Sequence, residues 1–143
     1  MQPSAITRVR TDSAEMKPLQ IPASWIVSGT PQTRGAPVTT STDGAMWVEV
    51  WDCTAGSFNW HYDLHETIHI VDGGATIVDA DGTVWDAKPG DVITFRRDTS
   101  AFWTVPTYIR KVAFLYRPLP FTGGIPRSMW DRLRNLKSRL LRR

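Results

Sequence analysis

The stretch WHYDLHETIHIVDG, residues 60–73, and the stretch KPGDVITF, residues 88–95, determine the fold prediction for this chain. In the first stretch, large or apolar side chains recur at even positions such as Trp60, Tyr62 and Ile68, and two glycines follow. A period of two residues is typical of a strand with one buried face. The second stretch begins with a Pro-Gly-Asp turn and continues with β-prone residues, so both stretches predict strands.

Other short strands are predicted on both sides of these stretches. The pair Asp81-Gly82 lies between two β-prone runs and predicts a hairpin. Residues 25–44 are rich in Pro, Gly, Ser and Thr and are predicted to be loop or edge structure. The remaining predicted strands are residues 47–51, 58–62, 102–105 and 109–116. About eight short, closely spaced strands indicate an all-β sandwich or barrel.

Length and composition are those of a single domain. A chain of 143 residues can bury one proper core, and its one cysteine, Cys53, excludes an intrachain disulfide. We see no apolar signal segment and no apolar run of the roughly 18 residues that a membrane span needs, so a cytoplasmic protein is expected. The net charge of +3 arises after Pro126, where seven Arg or Lys accompany only Asp131. The rest is mildly acidic, and no nucleic-acid partner is expected.

The last segment changes from a β period to a helical one. Trp130 and four leucines between residues 133 and 141 recur at helical spacing, which predicts a short amphipathic α-helix with a basic outer face over residues 126–143. Such a helix packs on the barrel or on a dimer partner, and the alternative is contact with an anionic membrane surface. Residues 1–24 are predicted to be a weakly ordered lead-in, and residues 25–120 to form the barrel domain.

Glu66 and Gly73 carry a resemblance to a known family. Their spacing resembles the end of the His-x-His-x3-Glu motif of the cupin superfamily, in which a small barrel holds a metal. The two histidine positions of that motif are Trp60 and Tyr62 in this chain, and Ala101 stands at the position of the later third histidine. The resemblance implies a cupin-type barrel (a double-stranded β-helix or jelly roll) that lacks its usual metal ligands. We therefore expect no metal and no other cofactor.

Within the cupins, the chain is most similar to small single-domain members grouped with the ureidoglycine aminohydrolase and ethanolamine-utilisation cupins. The segments that carry this similarity are Ser41–Gly44, Val50–Thr54, Gly56–Tyr62, Gly90-Asp91, Trp103 and Arg110-Lys111. The similarity implies the fold. It does not transfer a reaction, because the residues that would hold the metal differ.

The donor chemistry of the substituted positions explains why a metal is not expected. A transition metal needs three or four converging lone pairs, whereas Trp60 offers only an N–H donor and Ala101 offers nothing. The histidines that the chain does have, all predicted on the face opposite Glu66, are His61, His65 and His69. One alternative stays open, which is an altered ligand set that combines Glu66 with His61 or His65.

An aromatic cup with one carboxylate is the remaining candidate site. The predicted pocket residues are Trp51, Phe58, Trp60, Tyr62, Glu66 and Trp103. A carboxylate among aromatic rings is costly to ionise without a partner, so a cation is expected beside it. The candidate charge partners are Arg96, Arg110 and Lys111. The plain alternative is that the aromatic side chains simply fill the barrel core.

Functions from two classes fit this cup. In the first, the protein binds an unidentified small molecule by stacking and by contacts with Glu66, and it catalyses no reaction. In the second, it is a metal-independent isomerase, epimerase or lyase in which Glu66 and Tyr62 act as acid and base. A metalloenzyme with the altered ligand set is a third, lesser hypothesis. In each case we expect a homodimer, because a small barrel with seven Trp has apolar surface to cover.

Overall fold

The computed structural model describes residues 4–118. A single short 3-10 helix, Ala23–Trp25, is the only helix among these residues. The strands are β1 (Lys17–Leu19), β2 (Ile26–Gly29), β3 (Thr33–Thr40), β4 (Met46–Tyr62), β5 (His65–Gly73), β6 (Ala75–Val78), β7 (Val84–Ala87), β8 (Val92–Phe95) and β9 (Thr99–Tyr116). The prediction of an all-β barrel is confirmed for this part of the chain.

Two long antiparallel strands, β4 and β9, hold the barrel together. They pair along almost their whole length, from Met46 opposite Tyr116 to Tyr62 opposite Thr99. One layer of strands has the order β1-β3-β4-β9-β5-β8, and the other halves of the long strands pair with β2 and with the β6–β7 hairpin. Because β4 and β9 run through both layers, the two layers close around one shared core.

A shift in the β4–β9 register decides which residues of β4 face that core. The β4–β9 register shifts between Thr54 and Gly56, where β9 contains Pro106, a residue that cannot donate a ladder hydrogen bond. The inward face changes there from odd to even positions, so that Trp51 before the shift and Phe58 after it are both buried in the core. The predicted strands 47–51 and 58–62 are therefore one strand, and 102–105 and 109–116 likewise belong to β9.

Gly73 ends β5 at a place where no other residue fits. Its φ is +68°, in the left-handed region, and a Cβ at this position would lie 2.0 Å from the carbonyl oxygen of Tyr108. The hairpin predicted around Asp81-Gly82 is present as β6 and β7. The first turn leads from β5 to β6, which pair with different halves of β9, and the second joins the paired strands β6 and β7.

Other sequence predictions had different outcomes. Residues 25–44, predicted as loop or edge structure, contain β2 and β3, and β3 pairs on both sides, with β1 and with β4. The lead-in 1–24 contains β1, which pairs with β3. The helix predicted over residues 126–143 lies outside the described residues. Within residues 4–118, no helix is long and apolar enough to cross a membrane.

Candidate functional site

A buried ion pair joins Glu66 on β5 to Lys111 on β9. The Lys111 Nζ donates to Glu66 Oε1 at 2.5 Å, and the two side chains are only 5% and 7% exposed. Lys111 stands directly opposite Trp51 in the β4–β9 ladder. Its Nζ also lies 4.7 Å from the centre of the Trp51 ring and 5.4 Å from that of Trp103. The ammonium is therefore held by one carboxylate and two aromatic faces.

Tyr62 lies next to this pair and is locked by two aromatic neighbours. Trp103 Nε1 donates to the Tyr62 hydroxyl oxygen at 2.9 Å, and the Tyr62 ring stacks on Phe95 with ring centres 4.4 Å apart. Burial raises the pKa of the Tyr62 phenol, the negative charge of Glu66 raises it further, and the Trp103 hydrogen bond only partly offsets them. Tyr62 is therefore a neutral phenol whose hydroxyl keeps its proton.

A cavity of about 270 Å³ opens beside the Glu66–Lys111 pair. Four of the six predicted pocket residues line it, namely Trp51, Trp60, Tyr62 and Glu66. The other two, Phe58 and Trp103, do not line it. They are 0% and 2% exposed and stack on each other with ring centres 6.1 Å apart, so they fill the core behind the cavity wall. The side chains of Phe58 and Trp103 therefore fill the bottom of the cup, and the cavity lies above them.

Several residues that sequence reasoning missed also line the cavity, among them Trp25, Glu49 and Asp63. Glu49 lies two residues before Trp51 on β4, so the strand period alone could have placed both side chains on one face. Burial raises the pKa of the Glu49 carboxyl, against the lowering effect of Lys111, and the charge of Glu66 adds to the rise. Trp25 ends the 3-10 helix, in a segment whose composition predicted a loop, and no periodic signal pointed to it.

The other two candidate charge partners lie away from the cup. Arg110 points to the opposite face of β9, where its Nη2 lies 3.3 Å from Asp52 Oδ2 and its Nη1 donates to the Thr11 carbonyl. Arg96 is exposed and lines a different cavity of about 750 Å³, between β8 and the β6–β7 hairpin, which also includes Ala101. Of the three cationic candidates, the structure brings only Lys111 to Glu66.

The three histidines are exposed side chains, and of these only His61 lines the cavity. His61, His65 and His69 are all exposed, whereas Glu66 is buried. His61 packs its ring against Trp25 at the rim of the cavity, and His65 Nδ1 accepts a hydrogen bond from the Arg97 backbone N–H. No side chain from β5 therefore adds an imidazole to the Glu66 carboxylate.

The side chains present do not fit a transition metal. Trp60 and Ala101, at two of the three histidine positions, face each other across the β4–β9 ladder and supply no lone pair. Lys111 already occupies an oxygen of Glu66. In the described part of the chain, no group of three His, Cys, Asp or Glu side chains converges as metal ligands would. The ammonium of Lys111 supplies the positive charge that compensates Glu66.

Comparison with protein families identifies one that covers most of the barrel. A family model described as a EutQ-like cupin domain matches residues 40–113, which contain Glu49, Glu66 and Lys111. Comparison with curated protein sequences finds no significant match. The cup residue Trp25 lies before the matched segment.

Solved structures show the same barrel at low sequence identity. A protein of unknown function of the DUF861 family from Pseudomonas syringae is 23% identical with a TM-score of 0.66, and the match covers 71% of this chain and 44% of that one. The EutQ protein of Clostridium difficile is 17% identical with a TM-score of 0.55, covering 69% and 81%. The polyketide cyclase RemF of Streptomyces resistomycificus is 14% identical with a TM-score of 0.60, covering 85% and 88%. This chain spans less than half of the Pseudomonas protein. At these identities the similarity to the three structures establishes a shared fold and nothing more.

Proposed function

The chain belongs to the family of EutQ-like cupin domains, and from this premise we propose that it binds a small molecule in its cup without a resident transition metal. The observation that carries the proposal is the buried Glu66–Lys111 pair at the wall of an open cavity. A barrel that needed only a filled core would have no use for two charges there, since apolar residues of similar volume are often as stable or more stable.

The cavity has the composition of a ligand site. Such sites are concave, lined mainly by aromatic and apolar side chains, and contain a few convergent polar groups. Here Trp25, Trp51 and Trp60 form the aromatic part, and Glu66 and Lys111 are two of the polar groups. Core packing behind the cavity keeps these groups fixed before a ligand arrives, which lowers the ordering cost of binding.

Tryptophan indole signals provide a direct test of this proposal. A library of small polar metabolites is titrated into the full chain carrying ¹⁵N-labelled tryptophan, and the indole N–H resonances are followed by NMR. We expect at least one compound to shift the signals of Trp25, Trp51 or Trp60. That response should be lost in Trp60→Leu and kept in the matched control Trp85→Leu, because Trp85 is 55% exposed and lines the other cavity. If no compound shifts the cup signals, the proposal is wrong.

Metal-independent catalysis is a second candidate, and one observation favours it. Tyr62 is a neutral phenol beside the Glu66 carboxylate, so Glu66 can take a proton from a carbon next to a carbonyl while Tyr62 donates one to the oxygen. Against it, Lys111 engages Glu66, and the Tyr62 oxygen already accepts from Trp103. The test is exchange of the α-proton of a bound carbonyl ligand in D₂O. Exchange that is lost in Glu66→Gln would establish catalysis. Binding without exchange would support a protein that only binds.

A homodimer is the third part of the proposal. Phe114 and Val92 lie on the outer face of the layer formed by β4, β9, β5 and β8, and they are 43% and 67% exposed. Apolar side chains on one sheet face are a typical surface for a two-fold contact. Sedimentation velocity of the full chain tests this. We expect a dimer, and a monomer of 16.1 kDa would contradict it.

A further inference from the structure

We propose that the ligand of the cup is a small organic cation, an alkylated or primary ammonium, held by the tryptophan faces and by the Glu49 carboxylate. This inference rests on the proposed function, because it names the chemical class of the molecule that the same cavity binds. Two independent features of the cavity support it: its charge and the arrangement of its rings.

The charge of the cavity wall is negative after its internal pairing is counted. Three carboxylates line the cavity, those of Glu49, Asp63 and Glu66, together with the Lys111 ammonium and the His61 imidazole. Lys111 and Glu66 neutralise each other as a pair. Among residues 4–118, neither Glu49 nor Asp63 has an ion-pair or side-chain hydrogen-bond partner. The partly buried Glu49 and the exposed Asp63 at the rim therefore remain to attract a positive charge into the cavity.

Glu49 is the more informative of the two carboxylates. Its side chain is partly buried on β4, and burial without a close partner disfavours its ionised form. A wall that only filled space would place an apolar side chain at this position. A carboxylate kept here at a cost in stability is what a site for a cation requires, since the bound cation supplies the missing partner.

The three tryptophan rings form a continuous aromatic part of the cavity wall. Trp60 is nearly perpendicular to both neighbours, at 73° to Trp25 with ring centres 5.3 Å apart and at 77° to Trp51 with centres 5.8 Å apart. These rings touch one another edge to face, and all three line the cavity. Aromatic faces attract ammonium groups through their quadrupole. Trp51 already does this for the Lys111 ammonium, so the ring faces on this wall are suited to a cation.

An anionic ligand does not match the same wall. The one cation that lines the cavity, Lys111, is engaged by Glu66 and by two rings. An anion entering the cavity would meet the unpaired Glu49 and Asp63 and be repelled by both. A neutral ligand would leave Glu49 without compensation. Among anionic, neutral and cationic ligands, only a cation would compensate the charges of Glu49 and Asp63.

Three probes of closely similar shape separate these charge types: tetramethylammonium, tert-butanol and trimethylacetate. Each is titrated into the full chain, with the indole N–H signals of the cup as the readout. We expect tetramethylammonium to bind roughly tenfold or more tightly than tert-butanol, and trimethylacetate not to bind. Glu49→Gln should weaken tetramethylammonium binding by roughly tenfold, whereas Glu49→Asp should keep most of the preference.

The control Glu15→Gln removes the same charge from an exposed position and should leave binding unchanged. Thermal unfolding of each variant shows that it is folded. Equal binding of tert-butanol and tetramethylammonium in the cup would overturn the cation inference and leave the proposed binding function intact. Binding of none of the three probes would also overturn the inference, whereas the proposed function is decided separately by the metabolite screen.

Discussion

The Nζ of Lys111 lies 2.5 Å from Oε1 of Glu66, inside a barrel wall where the two side chains are 5% and 7% exposed. In a cupin that binds a metal, the carboxylate of this motif faces a metal ion. Here it faces a lysine from β9, the strand that pairs directly with β5. The chain thus carries its own cation in the cup, and the site is built around that pair.

The first prediction concerns the energy of this pair. Lys111→Met leaves the Glu66 carboxylate buried without a partner, and we expect the free energy of unfolding to fall by about 3–5 kcal/mol. The double variant Glu66→Leu/Lys111→Met should recover most of that loss, because replacing a buried pair by apolar residues is often neutral. Urea unfolding of the single and double variants gives the coupling energy. Additive losses would show that the two charges are not coupled.

The second prediction concerns Tyr62. Tyr62→Phe keeps the ring stacked on Phe95 but removes the oxygen that accepts from Trp103 Nε1. A buried N–H without an acceptor costs about 1–3 kcal/mol, so stability should fall by that amount. The same variant also bears on the choice between binding and catalysis. If the protein only binds its ligand, the affinity of Tyr62→Phe for that ligand should stay within a few fold of the wild-type affinity. Unchanged stability would mean that Trp103 finds another acceptor.

The third prediction is a gain in stability from Glu49→Gln. Burial raises the pKa of the Glu49 carboxyl above its usual 4.5, with Lys111 opposing the rise and Glu66 adding to it. The folded state therefore disfavours the ionised form, and this penalty is present at neutral pH and disappears as the pH falls below the unfolded-state value. We expect the variant to melt a few degrees higher than wild type at pH 7. The gain should vanish near pH 4, and a loss of stability at pH 7 would contradict the account.

The fourth prediction concerns Asp52, on the outer face of β4. Its carboxylate accepts hydrogen bonds from Arg34, Arg110 and the Tyr108 hydroxyl. Burial opposes ionisation of Asp52, but the bonds from Arg34 and Tyr108 outweigh it and hold its pKa below 3.8. We expect Asp52→Asn to cost about 1.5–3 kcal/mol at pH 7.

The pH dependence of the stability difference between wild type and Asp52→Asn tests this prediction independently. A carboxyl with a lowered folded-state pKa contributes stability above its unfolded value, and the contribution is lost as the pH falls through the folded value. The difference between wild type and Asp52→Asn should therefore shrink below about pH 4. Because Arg110 also donates to the Thr11 carbonyl, hydrogen exchange should show faster opening of the chain around Thr11. A difference that stays constant down to pH 2 would exclude this role for the Asp52 charge.

Much of the barrel follows from local pattern. The even-position alternation around Glu66 and the Asp81-Gly82 turn each predicted a feature that the structure contains. The continuity of β4 did not follow, because the register shift between Thr54 and Gly56 reverses the inward face in mid-strand. Strand β3 was not predicted, because its segment has the composition of a loop. Its pairing with β4 is a long-range contact that local composition does not encode.

The site was less predictable than the fold, for a physical reason. Arg110 and Lys111 are adjacent, so the strand period makes one of them face inward, but only the register of β9 decides which. That register depends on the shift near Pro106. Glu49 could have been assigned to the cup from its spacing to Trp51, whereas Trp25 reaches it through tertiary packing against Trp60.

Metal content tests whether the Lys111 ammonium takes the place of a metal beside Glu66. Elemental mass spectrometry is applied to wild type and Glu66→Gln, both purified without chelator and without a metal-affinity resin. We expect transition metal far below one ion per chain in both proteins, because the donors beside Glu66 cannot hold one. Near-stoichiometric metal in wild type that is lost in Glu66→Gln would contradict this expectation.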